Sequence, residues 1–175
     1  MLAGATLSLS FGRRCPEATN GNLRAMNSQP LTPPPQVAGL SLSGTAPYTI
    51  TADENRRVCR LSGTEPASDG TAHPVFFYIA TQIGMGMTVA GLCAACEFDV
   101  NVGPLIASTR VELTQPLRVG VAYDIRGEIV SLTRKNSRKL GVMDLLEYQL
   151  HLHALDGVKV LSTTNTWVLP RAAVA

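Results

Sequence analysis

The chain has 175 residues, 45% of them hydrophobic and 16% charged, enough to bury the core of one ordinary soluble domain. A formal net charge of +2 is too slight to draw in nucleic acid or an anionic membrane, and neither is expected as a partner. Four cysteines, Cys15, Cys59, Cys93 and Cys96, in a chain of this length with no export signal do not make a disulfide framework.

The opening MLAGATLSLSFGRR has no cation ahead of its short apolar run and places Arg13 and Arg14 after it, so a signal peptide is not expected and a cytoplasmic location is. Residues 1–46 are rich in Ser, Gly and Pro, and Pro33, Pro34 and Pro35 favour an extended path, which predicts a loosely packed arm ahead of a single domain over 47–175. LSLSF at 7–11 and LSLS at 40–43 alternate like strands and suit a sheet edge. Thr51 with Glu54 three residues later is a capping box, and Arg60 and Gly63 mark the other end of a short surface helix expected to bury Val58 and Leu61. TEPASDGTA, which follows, has the composition of a loop.

From Pro74 to Cys96 no residue is charged. The stretch is long enough to cross a bilayer, but its flanks, His73 and Glu97, give no Lys/Arg asymmetry, and it contains Thr81, Gln82 and Thr88. The expectation is one long helix enclosed by a sheet, with Gly84, Gly86 and Gly91 letting sheet backbone or a ligand come close at about 1 kcal/mol each in helix propensity. Cys93 and Cys96 form a lone CxxC with no second pair or nearby His, so small buried thiols are expected there. LIASTRVEL at 105–113 alternates like a half-buried strand, and further strands are predicted over 123–132, 143–153 and 158–169. RKNSRK and the Asp156-Gly157 pair are read as the turns between them. In the third strand Leu146, Tyr148, Leu150 and Leu152 share one face, while Glu147, Gln149, His151 and His153 share the other. Two neighbouring histidines with no third ligand do not make a metal site. Such connections imply an α+β fold in which an antiparallel sheet wraps the apolar helix.

YTITADENRRVCRLSGTEP, AHPVFFYIA, VELTQPLRVGVAYDIRGEIVSL and DGVKVLSTTNTWVLP together resemble the hot-dog fold, specifically the MaoC-like (R)-hydratase and 3-hydroxyacyl dehydratase group with its dehydratase-like N-terminal halves, over roughly residues 47–170. The resemblance implies an acyl or polyketide-like thioester, carried by coenzyme A or an acyl carrier protein, lying in a tunnel between helix and sheet at the interface of a homodimer or of a heterodimer with a second hot-dog chain, with no cofactor. The family's Asp and His stand in a G-D-x-N-P-x-H loop, and a Gly N–H after a second His binds the thioester oxygen. Aligned on Pro66, the Asp position falls on Gly63 and the His position on Ser68. Aligned on His73, the Gly becomes Pro74, which has no N–H.

With the standard dyad absent, three readings stand. A rebuilt hydratase/dehydratase-like site would use His73, Asp69 and Glu65 as acid/base groups. A catalytically silent subunit would shape the tunnel for a partner. A repurposed chamber would cyclise its ligand or hydrolyse a thioester with a carboxylate-activated water at Glu65, Asp69 or Glu97. Tyr78, Thr81 and Gln82 are polar groups inside the apolar segment and are candidate substrate contacts, with sheet carbonyls as the competing partners. Arg134, Lys135, Arg138 and Lys139 suit the phosphates of coenzyme A or the acidic face of a carrier protein, and equally a solvated sheet edge. His73 followed by Pro74 also reads as an ordinary helix start, and Glu65 and Asp69 as solvated loop carboxylates.

Overall fold

A computed structural model describes residues 31–171. Five strands, β1 (Tyr48–Thr49), β2 (Leu105–Leu113), β3 (Ala122–Ser137), β4 (Gly141–Ala154) and β5 (Lys159–Pro170), form one curled antiparallel sheet in the order β1-β3-β4-β5-β2. The alternation of β4 fixes its faces. Leu146, Tyr148, Leu150 and Leu152 are each 0% exposed, and the residues between them are half-buried on the other side. Burial of this kind stabilises the sheet by roughly 1.5–3 kcal/mol per large side chain. β3 runs further than the sequence implies, because Arg134 to Ser137 stay paired with residues 141–144, and the turn is confined to residues 138–140. RKNSRK is therefore four residues of strand followed by two of turn. Cations do not stop a strand whose neighbour still offers backbone partners.

Helix α1 (Ala52–Ser62) has the expected capping box at Thr51 and Glu54, and Gly63 closes it in the left-handed conformation at φ 70. Its buried residues are Asn55 and Cys59, whereas Leu61 is 83% exposed, so the predicted burial of Leu61 is corrected.

The uncharged segment is not one helix. It folds as α2 (Phe76–Gly84) and α3 (Val89–Ala95), bent by 63°. At the break the Gly86 N–H donates to Leu42 O at 3.0 Å instead of to its own helix, and Thr88 restarts helical structure by accepting from the Gly91 N–H. A Cβ on Gly86 would lie 2.1 Å from Ser43 O, and one on Gly84 would lie 2.4 Å from Ile125 Cδ1. Both glycines admit neighbouring chain, as expected, but the segment admitted at Gly86 is what interrupts the helix. Nor is α2 enclosed all round, since Phe76, Ala80 and Thr81 are buried while Ile83 is 63% exposed. Among the described residues no single helix is long and apolar enough to cross a membrane.

Residues 39–44 lie along β3. The N–H groups of Gly39, Leu42 and Gly44 donate to the carbonyls of Ile129, Gly127 and Ile125 at 2.8–2.9 Å, and Leu42 is 0% exposed. LSLS thus pairs with a sheet edge, and the Pro-rich arm enters the core at Val37 and Leu42. LSLSF and Cys15 lie outside the described residues.

Candidate functional site

An apolar cavity of about 180 Å³ opens where α2 begins, walled by Ala72, Pro74, Phe77, Leu113, Pro116 and Leu117, with Thr71 and His73 as its polar members. Three chain segments meet there. The Ala72 N–H donates to Leu117 O at 2.8 Å and the Val119 N–H to Gly70 O at 3.0 Å, which pins the loop before α2 to the stretch after β2.

His73 is held on three sides. Its N–H donates to Asn55 Oδ1 at 2.7 Å, and its Nδ1 accepts from the Val75 N–H at 3.2 Å. That pattern leaves the proton on Nε2, which donates to Ser62 Oγ at 3.1 Å. Ser62 in turn donates to carbonyls of α1. The ring therefore bridges the end of α1 to the start of α2, with Nδ1 serving as acceptor for an otherwise orphaned helix N–H. Asn55, 3% exposed, is the support that sequence reading missed; its signal is an Asn on the inward face of an amphipathic helix.

The other proposed acid/base groups do not join His73. Asp69 is exposed and accepts from the N–H and hydroxyl of Thr71 at 2.9 Å, bonds that hold its carboxyl below the usual aspartate range. It makes a turn. Glu65 is exposed beside Arg56, Arg60 and Thr64 on the outside of α1. Neither carboxylate lines the apolar cavity.

Of the polar residues of α2, Thr81 is 0% exposed and spends its hydroxyl on Phe77 O and Tyr78 O, both at 2.9 Å, which removes it as a substrate contact. Gln82 meets the sheet, where its Oε1 accepts from the Tyr148 hydroxyl at 3.3 Å. Burial, first of all, drives the Tyr148 phenol well above its ordinary value, so it stays a neutral donor. Tyr148 stacks edge-on against Trp167, with centroids 5.5 Å apart. Tyr78, four residues before Gln82 and so on the same helical face, is half-buried. Tyr148 and Trp167 are polar-tipped residues that strand alternation alone assigns to core.

Arg134 is corrected from a phosphate contact to an internal clamp. It grips buried Asp144 through Nε at 2.7 Å and Nη2 at 2.9 Å, and Nη1 reaches Thr32 O. Arg171 binds the same carboxylate at 2.8 Å through Nε and also reaches Cys96 O and Glu97 O. Lys135, Arg138 and Lys139 remain exposed at the hairpin tip. Cys93 and Cys96 are buried, and burial pushes the Cys96 thiol up to about 11, which makes it a packing group. His151 and His153 lie on the opposite sheet face with ring centroids 6.4 Å apart, and burial lowers both. Among the described residues no group of three or more His, Cys, Asp or Glu could hold a metal ion.

No protein-family model matches the chain, and no curated protein sequence matches it. Solved structures do. The C-terminally truncated HadBC (3R-hydroxyacyl-ACP dehydratase) complex from Mycobacterium tuberculosis aligns with a TM-score of 0.58 at 15% identity, over 77% of this chain and 98% of that one. The ChsH1-ChsH2 complex from the same organism aligns with a TM-score of 0.59 at 12% identity, over 76% and 89%. A MaoC-like dehydratase from Rhodospirillum rubrum aligns with a TM-score of 0.55 at 16% identity, over 78% and 94%. With a helix pair seated on a curled five-stranded sheet, the chain has the hot-dog fold in the form of these MaoC-like and hydroxyacyl dehydratase structures.

Proposed function

We propose that this chain is the acyl-binding, catalytically silent subunit of a dehydratase-like hot-dog heterodimer in the cytoplasm. It would receive the chain of an acyl or polyketide-like thioester while a second hot-dog chain brings the acid/base pair. One observation carries the reading: among the described residues the apolar cavity has a single ionisable wall residue, His73, and both of its ring nitrogens are already engaged. Dehydration needs a base at the alpha carbon and an acid for the departing water. A ring whose basic lone pair is held by the Val75 N–H is not placed to act as the base, and among the described residues no second ionisable group lines the cavity to share the two roles with it. Pro74 likewise offers no N–H to the thioester oxygen.

Two further observations favour a partner chain. The HadBC and ChsH1-ChsH2 structures are complexes, and β2 leaves one edge unpaired among the described residues. Lys135, Arg138 and Lys139 are then the free cations for coenzyme A phosphates or an acidic carrier protein. A rebuilt one-chain site remains as a second reading because His73 does border the cavity.

Purification with a tag, followed by an enoyl-thioester hydration assay, separates the two. The expected result is a heterodimer with a second hot-dog chain, active as the complex and inactive as the isolated subunit. Turnover by this chain alone, lost on the order of 10²–10⁴-fold in His73→Asn, would replace the proposal with the one-chain enzyme.

A further inference from the structure

Between α2 and the inner face of the sheet, two buried N–H donors lack an acceptor: Gln82 Nε2 and Trp167 Nε1. Trp167 is 3% exposed, so its indole N–H has no recourse to solvent. The two donors are neighbours through Tyr148, whose hydroxyl donates to Gln82 and whose ring packs edge-on against the indole. Native cores leave few polar atoms unpaired, and two on one wall ask for a common cause.

The chemistry of the two donors is specific. The acceptor of the Gln82 amide is engaged by Tyr148, so both open valences are N–H. Their complement is an uncharged oxygen that only accepts, and the carbonyl is the strong acceptor of that kind in an acyl chain; a hydroxyl would bring a proton needing a further acceptor, and a carboxylate would bring a charge into the core. The wall starts beside the cavity and runs away from it through packed core. Leu161 of β5 pairs with Leu113, a cavity residue, and Thr163, Asn165 and Trp167 follow it on the same buried face. On the helix side, Phe77 lines the cavity and Gln82 lies about 7.5 Å further along the axis.

We propose that Gln82 and Trp167 form a station for a carbonyl oxygen within the ligand chain, so that the tunnel selects acyl chains carrying a keto group at one fixed distance from the thioester over plain alkyl chains. This rests on the acyl-binding reading of the cavity.

Calorimetric titration of the full chain, with its partner subunit where it purifies as a complex, tests it. The probes are saturated S-acyl pantetheines of graded length and their counterparts with one oxo group at successive positions. One oxo position should bind about three- to tenfold tighter than the matching saturated chain, the worth of one or two hydrogen bonds. Gln82→Leu and Trp167→Phe should each bring that ratio toward unity, with melting temperature and near-ultraviolet circular dichroism confirming that the variants are folded. Saturated chains that bind with no preferred oxo position overturn the station and leave acyl binding standing. A preference that survives both substitutions also overturns it. Failure of every chain to bind overturns both readings.

Discussion

Asp144 shows what a single residue can fix. It is 0% exposed, and burial by itself drives a carboxyl up, but hydrogen bonds from Arg134 and Arg171 outweigh that and leave it net below the usual aspartate range. A folded-state value below the unfolded value of about 3.9 stabilises the protein above that pH, and the contribution disappears as pH falls through the lower folded value. Asp144→Asn should therefore cost about 3–5 kcal/mol in urea unfolding at neutral pH, because it strands two guanidinium groups that are only 16% and 18% exposed. The same variant should lose stability less steeply than the wild type in acid. The clamp was half legible in the sequence. Asp144 shares the strand parity of Leu146, Tyr148 and Leu150, and a carboxylate in that row demands a cation. Which cation answers depends on register, and Arg134 qualifies only because it lies directly opposite Asp144 in the β3–β4 ladder.

At the scale of elements, strands were more legible than helices. Period-two alternation survives burial, so β2, β4 and β5 fall close to where it puts them. A run without charge has no such internal ruler, and the sequence cannot say from composition where it bends. The break between α2 and α3 left signals, Gly84, Gly86 and a capping Thr88, but each also suits close packing of an unbroken helix. One substitution tells the two apart by sign. In a continuous helix Gly86→Ala should stabilise by roughly 0.5–1 kcal/mol. With Ser43 O only 2.1 Å from the added methyl carbon, it should instead lower stability by about 1–3 kcal/mol, read as a fall in melting temperature. The candidate site suffered from the same blind spot. Glu65, Asp69 and His73 are close in sequence, but α1 carries Glu65 to its outer side and Thr71 folds Asp69 into a turn, so proximity in the chain did not become proximity in space.

For the whole molecule, the question is how the sheet ends. Residues 39–44 and β1 occupy the β3 side, whereas β2 pairs with β5 and, among the described residues, with nothing on its other edge. That edge carries Leu105, Ile106 and Leu113 at 48%, 57% and 45% exposure, and its only blunting is the opposite-sign pair Arg110 and Glu112, with no proline. A nine-residue strand left in this state is a template for a strand of another chain. Such a seam suits the proposed partner subunit, because two sheets meeting near Leu113, which belongs to both the edge strand and the cavity wall, would bring acid/base groups of a second chain to the apolar cavity. Ile106→Lys places a cation on the seam and away from the cavity lining, so it should dissociate the assembly in sedimentation velocity without unfolding the subunit. If dissociation follows and hydration activity of the complex disappears with it, the edge and the activity belong together. An assembly that withstands the added charge would move the seam off β2 and, with it, the route by which a partner reaches His73.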